Sequence, residues 1–362
     1  MSLTLENVSR IVDGVPYLSD VNITFEPGSF NVLLGRTLAG KTSLMRLMAG
    51  LDRPTTGRIL VDGADVTGIP VQKRRVSMVY QQFINFPGMT VRENIASPLR
   101  IAGLAGAEIK KRVQETAAML RIEPLLDRYP LELSGGQQQR TAMARALVKD
   151  STLILFDEPL VNLDYKLREE LRAELRELFR ARNTIAIYAS TEPNEALALG
   201  GNTTLLHEGR VIQSGPGSHV YRQPVNIHAA ELFSEPPINL IKGRLSEEEI
   251  SFDDYAYYSM IPELAGLPHG DYSFGVRPSH LGLVPRNDDD LEFAMRVELA
   301  EISGSETFLH VRNEHFNLVL QLSGVHEYRT DTPIKVYLPI HKLFVFSTDG
   351  RMVQAPTVLT KE

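Results

Sequence analysis
The chain has 362 residues, enough for two or three domains that each bury their own core. A composition of 43% hydrophobic and 23% charged residues excludes a largely disordered chain, and a net charge of −7 excludes broad, non-specific nucleic-acid binding, which needs a basic surface. The absence of cysteine excludes disulfides, cysteine-bound zinc and thiol nucleophiles, and suits a cytoplasmic location.

The opening residues, MSLTLENVSR, carry neither the basic nor the apolar region of a secretory signal. The longest aliphatic runs, such as Leu153 to Phe156, fall far short of a membrane span. Any membrane role therefore passes through a partner. The first element in the chain to carry chemistry is the run Phe30 to Leu34, which reads as a buried strand. It leads into Gly35-Arg36-Thr37-Leu38-Ala39-Gly40-Lys41-Thr42, which fits G-x-x-x-x-G-K-[ST], and then into a helix predicted from Thr42 to about Met48. Strand, glycine-bearing loop and helix start together make a phosphate cradle, because the loop and helix N–H groups point inward with partial positive charge. Lys41 is expected to reach the β- and γ-phosphates of a nucleotide, Thr42 to offer its hydroxyl to Mg²⁺, and Ser43 to bond a phosphate oxygen.

Residues from about 87 to 148 read as a mainly helical insertion with breaks at Pro124 and Pro130. Within it, Leu133-Ser134-Gly135-Gly136-Gln137 precedes a helix expected to begin near Gln138. A serine and two glycines at a helix start form a second phosphate-binding arrangement. One loop already holds a triphosphate, so the second is best explained if it closes over a nucleotide held by another subunit. Further on, Leu153 to Phe156 reads as a buried strand ending in Asp157-Glu158-Pro159. Paired carboxylates at a strand's C-terminal edge sit where α/β sheets bind ligands. Asp157 is expected to hold Mg²⁺ through water, and Glu158 to polarise the attacking water as general base. Leu163, Leu167, Leu171, Leu175 and Leu178 predict an amphipathic helix, and Thr184 to Tyr188 a third buried strand. Strand, helix, strand in this order predicts a parallel sheet. The texture changes near Ser234-Glu235-Pro236-Pro237, so the boundary is expected at about 233. Beyond it, alternation such as Ile334, Val336 and Leu338, with the turn Arg277-Pro278, predicts a small all-β, OB-like domain over 234–362.

The sequence LSGGQ, with the phosphate loop before it and FDEP after it, resembles the ABC transporter ATPases, and the resemblance spans the chain. It implies an α/β P-loop domain over 1–233 with a helical subdomain. It also implies that Gln81 in MVYQQFINFP binds Mg²⁺ and senses a transmembrane partner, and that Pro159 to Asp164 forms the D-loop. Met89 to Ile95 matches the stretch after Gln81, and Phe274 to Leu281 (FGVRPSHL) resembles the regulatory β-domain of sugar and polyol importers. Two such subunits are expected to sit head to tail, each ATP held between the phosphate loop of one and the LSGGQ of the other. Transmembrane permease subunits would dock beside Gln81, with a substrate-binding protein outside the membrane and this chain on its inner face.

Three departures qualify the match. Thr191 stands where relatives carry the switch histidine, Leu38 where they carry glycine, and the aromatic platform for adenine is missing near Val12, leaving Tyr17 to stack instead. Hydrolysis at the chain's own site is therefore expected to be slow. A narrower resemblance, carried by LAGKTSLMRLMAGLDRPTTG and YASTEP, is to one of the two unlike ATPase subunits of glycerol importers. The alternative is a nucleotide-binding regulatory subunit with a degenerate site that completes the active site of a different ATPase. A soluble ABC-type ATPase of DNA repair or translation would carry a coiled-coil insertion or a second cassette, and neither is visible.

Overall fold
The computed structural model describes residues 1–160, 165–180, 184–253 and 255–356. It divides into two compact units, Met1–Gly217 and Ser218–Glu362. The division comes ahead of the expected boundary near 233, and two short helices, Gly217–Arg222 and Ile227–Leu232, lie at and just beyond it.

The first unit opens with β1 (Leu3–Val12) and β2 (Val15–Phe25), followed by β3 (Phe30–Leu34) and α1 (Lys41–Ala49). Then come β4 (Thr56–Val61), β5 (Ala64–Asp65) and β6 (Val76–Val79). The helical section holds α2 (Val91–Ile101), α3 (Gly106–Met119) and α4 (Gly135–Leu147). It is followed by β7 (Leu153–Asp157), α5 (Tyr165–Arg180), β8 (Ile185–Ser190), α6 (Pro193–Leu199), β9 (Asn202–His207) and β10 (Arg210–Pro216). Short 3₁₀ turns at Glu123–Leu125 and Pro130–Glu132 account for the breaks expected at Pro124 and Pro130.

The central sheet runs β10-β9-β3-β8-β7-β6, parallel except for the β9–β10 hairpin. Its inner strands are continuous apolar runs because both faces are covered. Leu33, Leu155, Ile187 and Leu206 join Leu44 and Met45 of α1 in one core. A separate antiparallel sheet, β2-β1-β4-β5, was not expected. Its signal is the apolar alternation of Leu3 and Leu5, both buried, which the longer motifs overshadow. Arg74 caps the end of α1, donating to the Met48 carbonyl at 2.9 Å and to the Ile69 carbonyl at 2.8 Å. Of the predicted leucine stripe, Leu171 and Leu175 are buried on α5. Leu163, with most of the expected D-loop, lies in 161–164, outside the described residues.

The second unit is all-β after its leading helices. Asn239–Leu245, Gly270–Val276 and Phe344–Ser347 lie in a six-stranded antiparallel sheet. Leu291–Ile302, Glu306–Arg312, Asn317–Ser323 and Pro333–Leu338 form a four-stranded one. Phe252, Phe274 and Phe293 pack at their shared core in an OB-like arrangement. Arg277 of the expected turn is buried and stacks on the Tyr221 ring, 3.6 Å from its centroid.

Candidate functional site
In the central sheet β3, β8 and β7 are neighbours, so the residues that follow them emerge on one edge. That edge gathers Gly35, Asp157-Glu158 and Thr191. Glycine is required at two points of the loop. A Cβ at Gly35 would stand 2.6 Å from the Leu206 carbonyl oxygen. Gly40 has φ +101°, and a Cβ there would meet Leu18 at 2.9 Å and the Tyr17 carbonyl at 3.0 Å. At Gly35 and Gly40 the loop is thus folded against β9 and β2 with no room for a side chain. Arg36, Thr37 and Leu38 are exposed, Ala39 is buried and Ser43 is half-buried. Leu38 takes φ +68° despite its side chain, which projects into solvent at 94% exposure. Left-handed backbone in an L-residue costs about 1–2 kcal/mol.

Lys41 is 5% exposed. Its Nζ donates to the Gly35 carbonyl at 2.8 Å and the Arg36 carbonyl at 3.2 Å, and pairs with Glu158 Oε1 at 3.1 Å. Gln81 Nε2 donates to Glu158 Oε2 at 3.3 Å. Thr42 Oγ1 donates to Asp157, 2.9 Å from Oδ2 and 3.1 Å from Oδ1. Burial pushes the Asp157 carboxyl above its ordinary range, opposed by the Thr42 hydrogen bond. The structure thus brings Lys41, Thr42, Gln81, Asp157 and Glu158 into one constellation. Glu158 itself sits at φ +46°.

Sequence reasoning missed how β8 organises this edge. The Ala189 carbonyl accepts from Glu158 N at 3.2 Å, and the Ser190 carbonyl from Gly35 N at 3.3 Å. One strand end therefore fixes the backbones of both the acid pair and the phosphate loop. Thr191 follows immediately. Tyr17 presents a half-exposed ring beside the loop, its own carbonyl packed on Gly40.

Ser134, Gly135, Gly136 and Gln137 lie elsewhere on the unit, and no described hydrogen bond joins them to the phosphate loop. The helix starts at Gly135, earlier than expected, because Ser134 is its N-cap. Gln137 N donates to Ser134 Oγ, and Ser134 N to Gln137 Oε1 at 3.0 Å, a reciprocal box that draws both glycines into the first turn. Ser134 and Gly135 are exposed, with nothing near a Cβ built on Gly135.

The segment after Gln81 is pinned by Asn94, fully buried, whose amide donates to the carbonyls of Phe86, Met89 and Thr90 at 3.0 Å. Asn85 Nδ2 donates to the Gln138 carbonyl at 2.8 Å, tying this segment to α4. Beside it opens a groove of about 330 Å³ lined by Met78, Phe83, Ile84, Phe86, Ile101 and Arg145. No helix among the described residues is long and apolar enough to cross a membrane.

The donor set fits a nucleotide triphosphate with Mg²⁺. It offers a buried ammonium, a backbone cradle closed to side chains, and a hydroxyl beside a carboxylate, the oxygen ligands a hard cation takes. No group of three or more His, Cys, Asp or Glu gathers among the described residues. Comparison with known proteins agrees. Residues 18–161 match the family described as ABC transporter. The sn-glycerol-3-phosphate import ATP-binding protein UgpC of Pectobacterium atrosepticum is 34% identical over 96% of this chain and 98% of its own length. A UgpC of Rhizobium etli is 35% identical over 96% and 97%. The likeness extends to a solved structure, the dimeric ATP-binding cassette MJ0796 bound to ADP and phosphate. The match has TM-score 0.54 and 28% identity over 59% of this chain and 98% of that one. The chain belongs to the ATP-binding subunits of ABC importers, which bind ATP with Mg²⁺ and hydrolyse it.

Proposed function
We propose that this chain powers the import of a three-carbon polyol or its phosphate, as one half of a nucleotide-sandwich dimer on permease subunits. The substrate class comes from the relatives, which are named for sn-glycerol-3-phosphate, and from the narrower resemblance to glycerol importers. Glycerol and its phosphate are recognised by other subunits. The placement is cytoplasmic, on the inner face of the membrane, with a substrate-binding protein on the other side.

The observation that carries the catalytic reading is the convergence of Lys41, Thr42, Asp157 and Glu158 on one sheet edge. Lys41 is held by two carbonyls and needs only to leave Glu158 to face the β- and γ-phosphates. The N–H groups at the end of the loop and in the first turn of α1 orient the phosphates, with Tyr17 beside the base. Thr42, Asp157 and Gln81 would hold Mg²⁺, which neutralises phosphate charge when bound. Glu158, freed from Lys41, accepts a proton from the attacking water at its carboxylate. Thr191 donates one neutral hydrogen bond where relatives have an imidazole, so this site turns over slowly. Ser134, Gly135, Gly136 and Gln137 serve the nucleotide of the opposing subunit, and an unlike ATPase subunit is the partner we favour. A regulatory role without turnover is not preferred, because the lysine and both carboxylates are intact.

The apolar groove beside Gln81 is the proposed permease contact. Burial lowers the affinity of Arg145 and Lys149 for their protons there, with Lys149 bonded to the Val76 carbonyl at 2.9 Å and Arg145 over the Phe86 ring. Cysteines introduced one at a time from Gln81 to Leu99 test this, since the chain has none of its own. Cross-links to a membrane subunit are expected. Cross-links to soluble proteins alone would overturn the importer assembly.

A further inference from the structure
Behind the turn that carries Thr191 stands a buried carboxylate. Glu195 is 4% exposed, and Tyr188 and Ser190 beside it are likewise buried. Glu195 Oε2 accepts the Ser190 hydroxyl at 2.6 Å and the Tyr188 hydroxyl at 3.2 Å, and Arg172 Nη2 lies 3.5 Å from Oε1. Burial pushes the Glu195 carboxyl above its ordinary range, opposed first by the Ser190 hydroxyl. A buried polar cluster of this kind is costly unless fully engaged, and an apolar side chain would fill the space more cheaply.

What the cluster holds is specific. Ser190 Oγ also accepts from Glu192 N at 2.9 Å, closing the turn around Thr191. The Ser190 carbonyl is the partner of Gly35 N. Arg168, one helical turn before Arg172 on α5, bonds both carboxylate oxygens of Glu192 at 2.9 and 3.0 Å. Arg168 thus grips the last residue of the turn, while Arg172 pairs with Glu195, which grips the first residue from inside.

We propose that Glu195 is a positioning residue for ATP hydrolysis, acting through Ser190 to set where Thr191 stands over the phosphate loop, with Arg168 and Arg172 locking the turn to α5. The proposal rests on the reading of Thr191 as the residue that faces the terminal phosphate. A displacement of about 1 Å at a reacting centre costs up to ~100-fold in rate without touching substrate binding.

The test is hydrolysis in the assembled transporter. Any unlike ATPase partner carries glutamine at its own catalytic glutamate, so that turnover reports this chain's site. ATP affinity is measured separately. Glu195→Gln and Ser190→Ala are each expected to lower kcat roughly 10- to 100-fold, with ATP affinity changed by less than about twofold. The double variant is expected to be no slower than the slower single, and Ser190→Thr, which keeps the hydroxyl, to recover most of the rate. If Glu195→Gln fails to fold, Ser190→Ala and Tyr188→Phe carry the test. Unchanged kcat per folded molecule, or affinity falling in step with kcat, would overturn the proposal. Thr191→Ala separates the two readings. A silent Thr191→Ala removes the reading of Thr191 and this proposal with it. A slow Thr191→Ala beside silent Glu195→Gln and Ser190→Ala removes the positioning role alone.

Discussion

Two helix starts in the first unit carry glycines suited to phosphate, and they are finished differently. At α1 every functional group is already engaged within the chain. Lys41 bonds two loop carbonyls and Glu158, Thr42 bonds Asp157, and the loop backbone is anchored by Ser190 of β8 and by Gly209. At α4, the Ser134 and Gln137 side chains each turn back to the other's backbone N–H, and Gly135 faces open space. The first has the lysine, hydroxyl and carboxylates of a catalytic centre. The second has a capped helix start with Ser134 and Gly135 exposed. On the proposed function, a helix start finished in this second way is half of a site, and a head-to-tail dimer would supply the other half. The difference teaches which mutations damage which nucleotide.

The largest effect is expected from splitting the two halves between subunits. With an unlike ATPase partner, Ser134→Arg fills the open face of α4 with bulk and charge and disables the partner's site. Glu158→Gln disables only this chain's own site. Losing one hydrogen-bond donor to a developing anion costs about 3 kcal/mol, roughly a hundredfold in rate, and the own site already lacks the imidazole. Transport in the reconstituted complex is therefore expected to fall further with Ser134→Arg. Abolition by Glu158→Gln beside a near-silent Ser134→Arg would break the comparison, as would full activity in a homodimer.

A smaller effect follows from Lys41→Ala, which removes the buried ammonium of the α1 site. Charge-assisted hydrogen bonds are worth about 1.5–3 kcal/mol, so nucleotide affinity at this P-loop should fall roughly 10- to 100-fold. Equilibrium binding of a fluorescent ATP analogue to the full chain measures it. Affinity at α4 of the same chain, read through the partner's site, should not move. Unchanged affinity at the own P-loop would sink the assignment of Gly35 to Thr42.

Much of the α1 site was legible because its chemistry is contiguous. Strand, glycine loop, lysine and helix follow one another within Phe30 to Ala49, and the acid pair follows the apolar run Leu153 to Phe156 directly. The parallel order of β3, β8 and β7 then makes their ends meet. The hub at Ala189 and Ser190 was not legible, since it works through carbonyl oxygens that every residue has. Glu195 was missed for a related reason. In sequence it is one acid in a polar stretch, and only the packing of α6 and α5 against β8 reveals its burial. Leu38 shows the limit in the other direction. Its bulk argues against left-handed backbone, yet the loop imposes φ +68° because the side chain escapes to solvent.

The smallest effect separates stability from function at the α1 site. Asp157 is buried, and burial raises its carboxyl pKa above the unfolded value. Below the unfolded pKa the residue is protonated in both states and carries no penalty. As pH rises through the unfolded and then the raised folded pKa, the unfolded state loses its proton first. Folding stability falls over that window and stays lower at neutral pH. Asp157→Asn keeps an oxygen to accept from Thr42 and removes the buried charge. At neutral pH, without nucleotide, a gain of about 1 kcal/mol would raise Tm by ~2–4 °C for a domain of this size. The gain should vanish below about pH 4, where the wild-type carboxyl is protonated in the unfolded chain. With ATP and Mg²⁺ present the sign should invert, because the variant loses the carboxylate beside Thr42 and with it part of the ligand's stabilisation. Calorimetric melts with and without ATP and Mg²⁺, at neutral and acid pH, measure all three. A variant that is less stable without nucleotide at neutral pH would mean that Asp157 serves the fold of the empty site, and that the engaged state of α1 is not held ready for a cation.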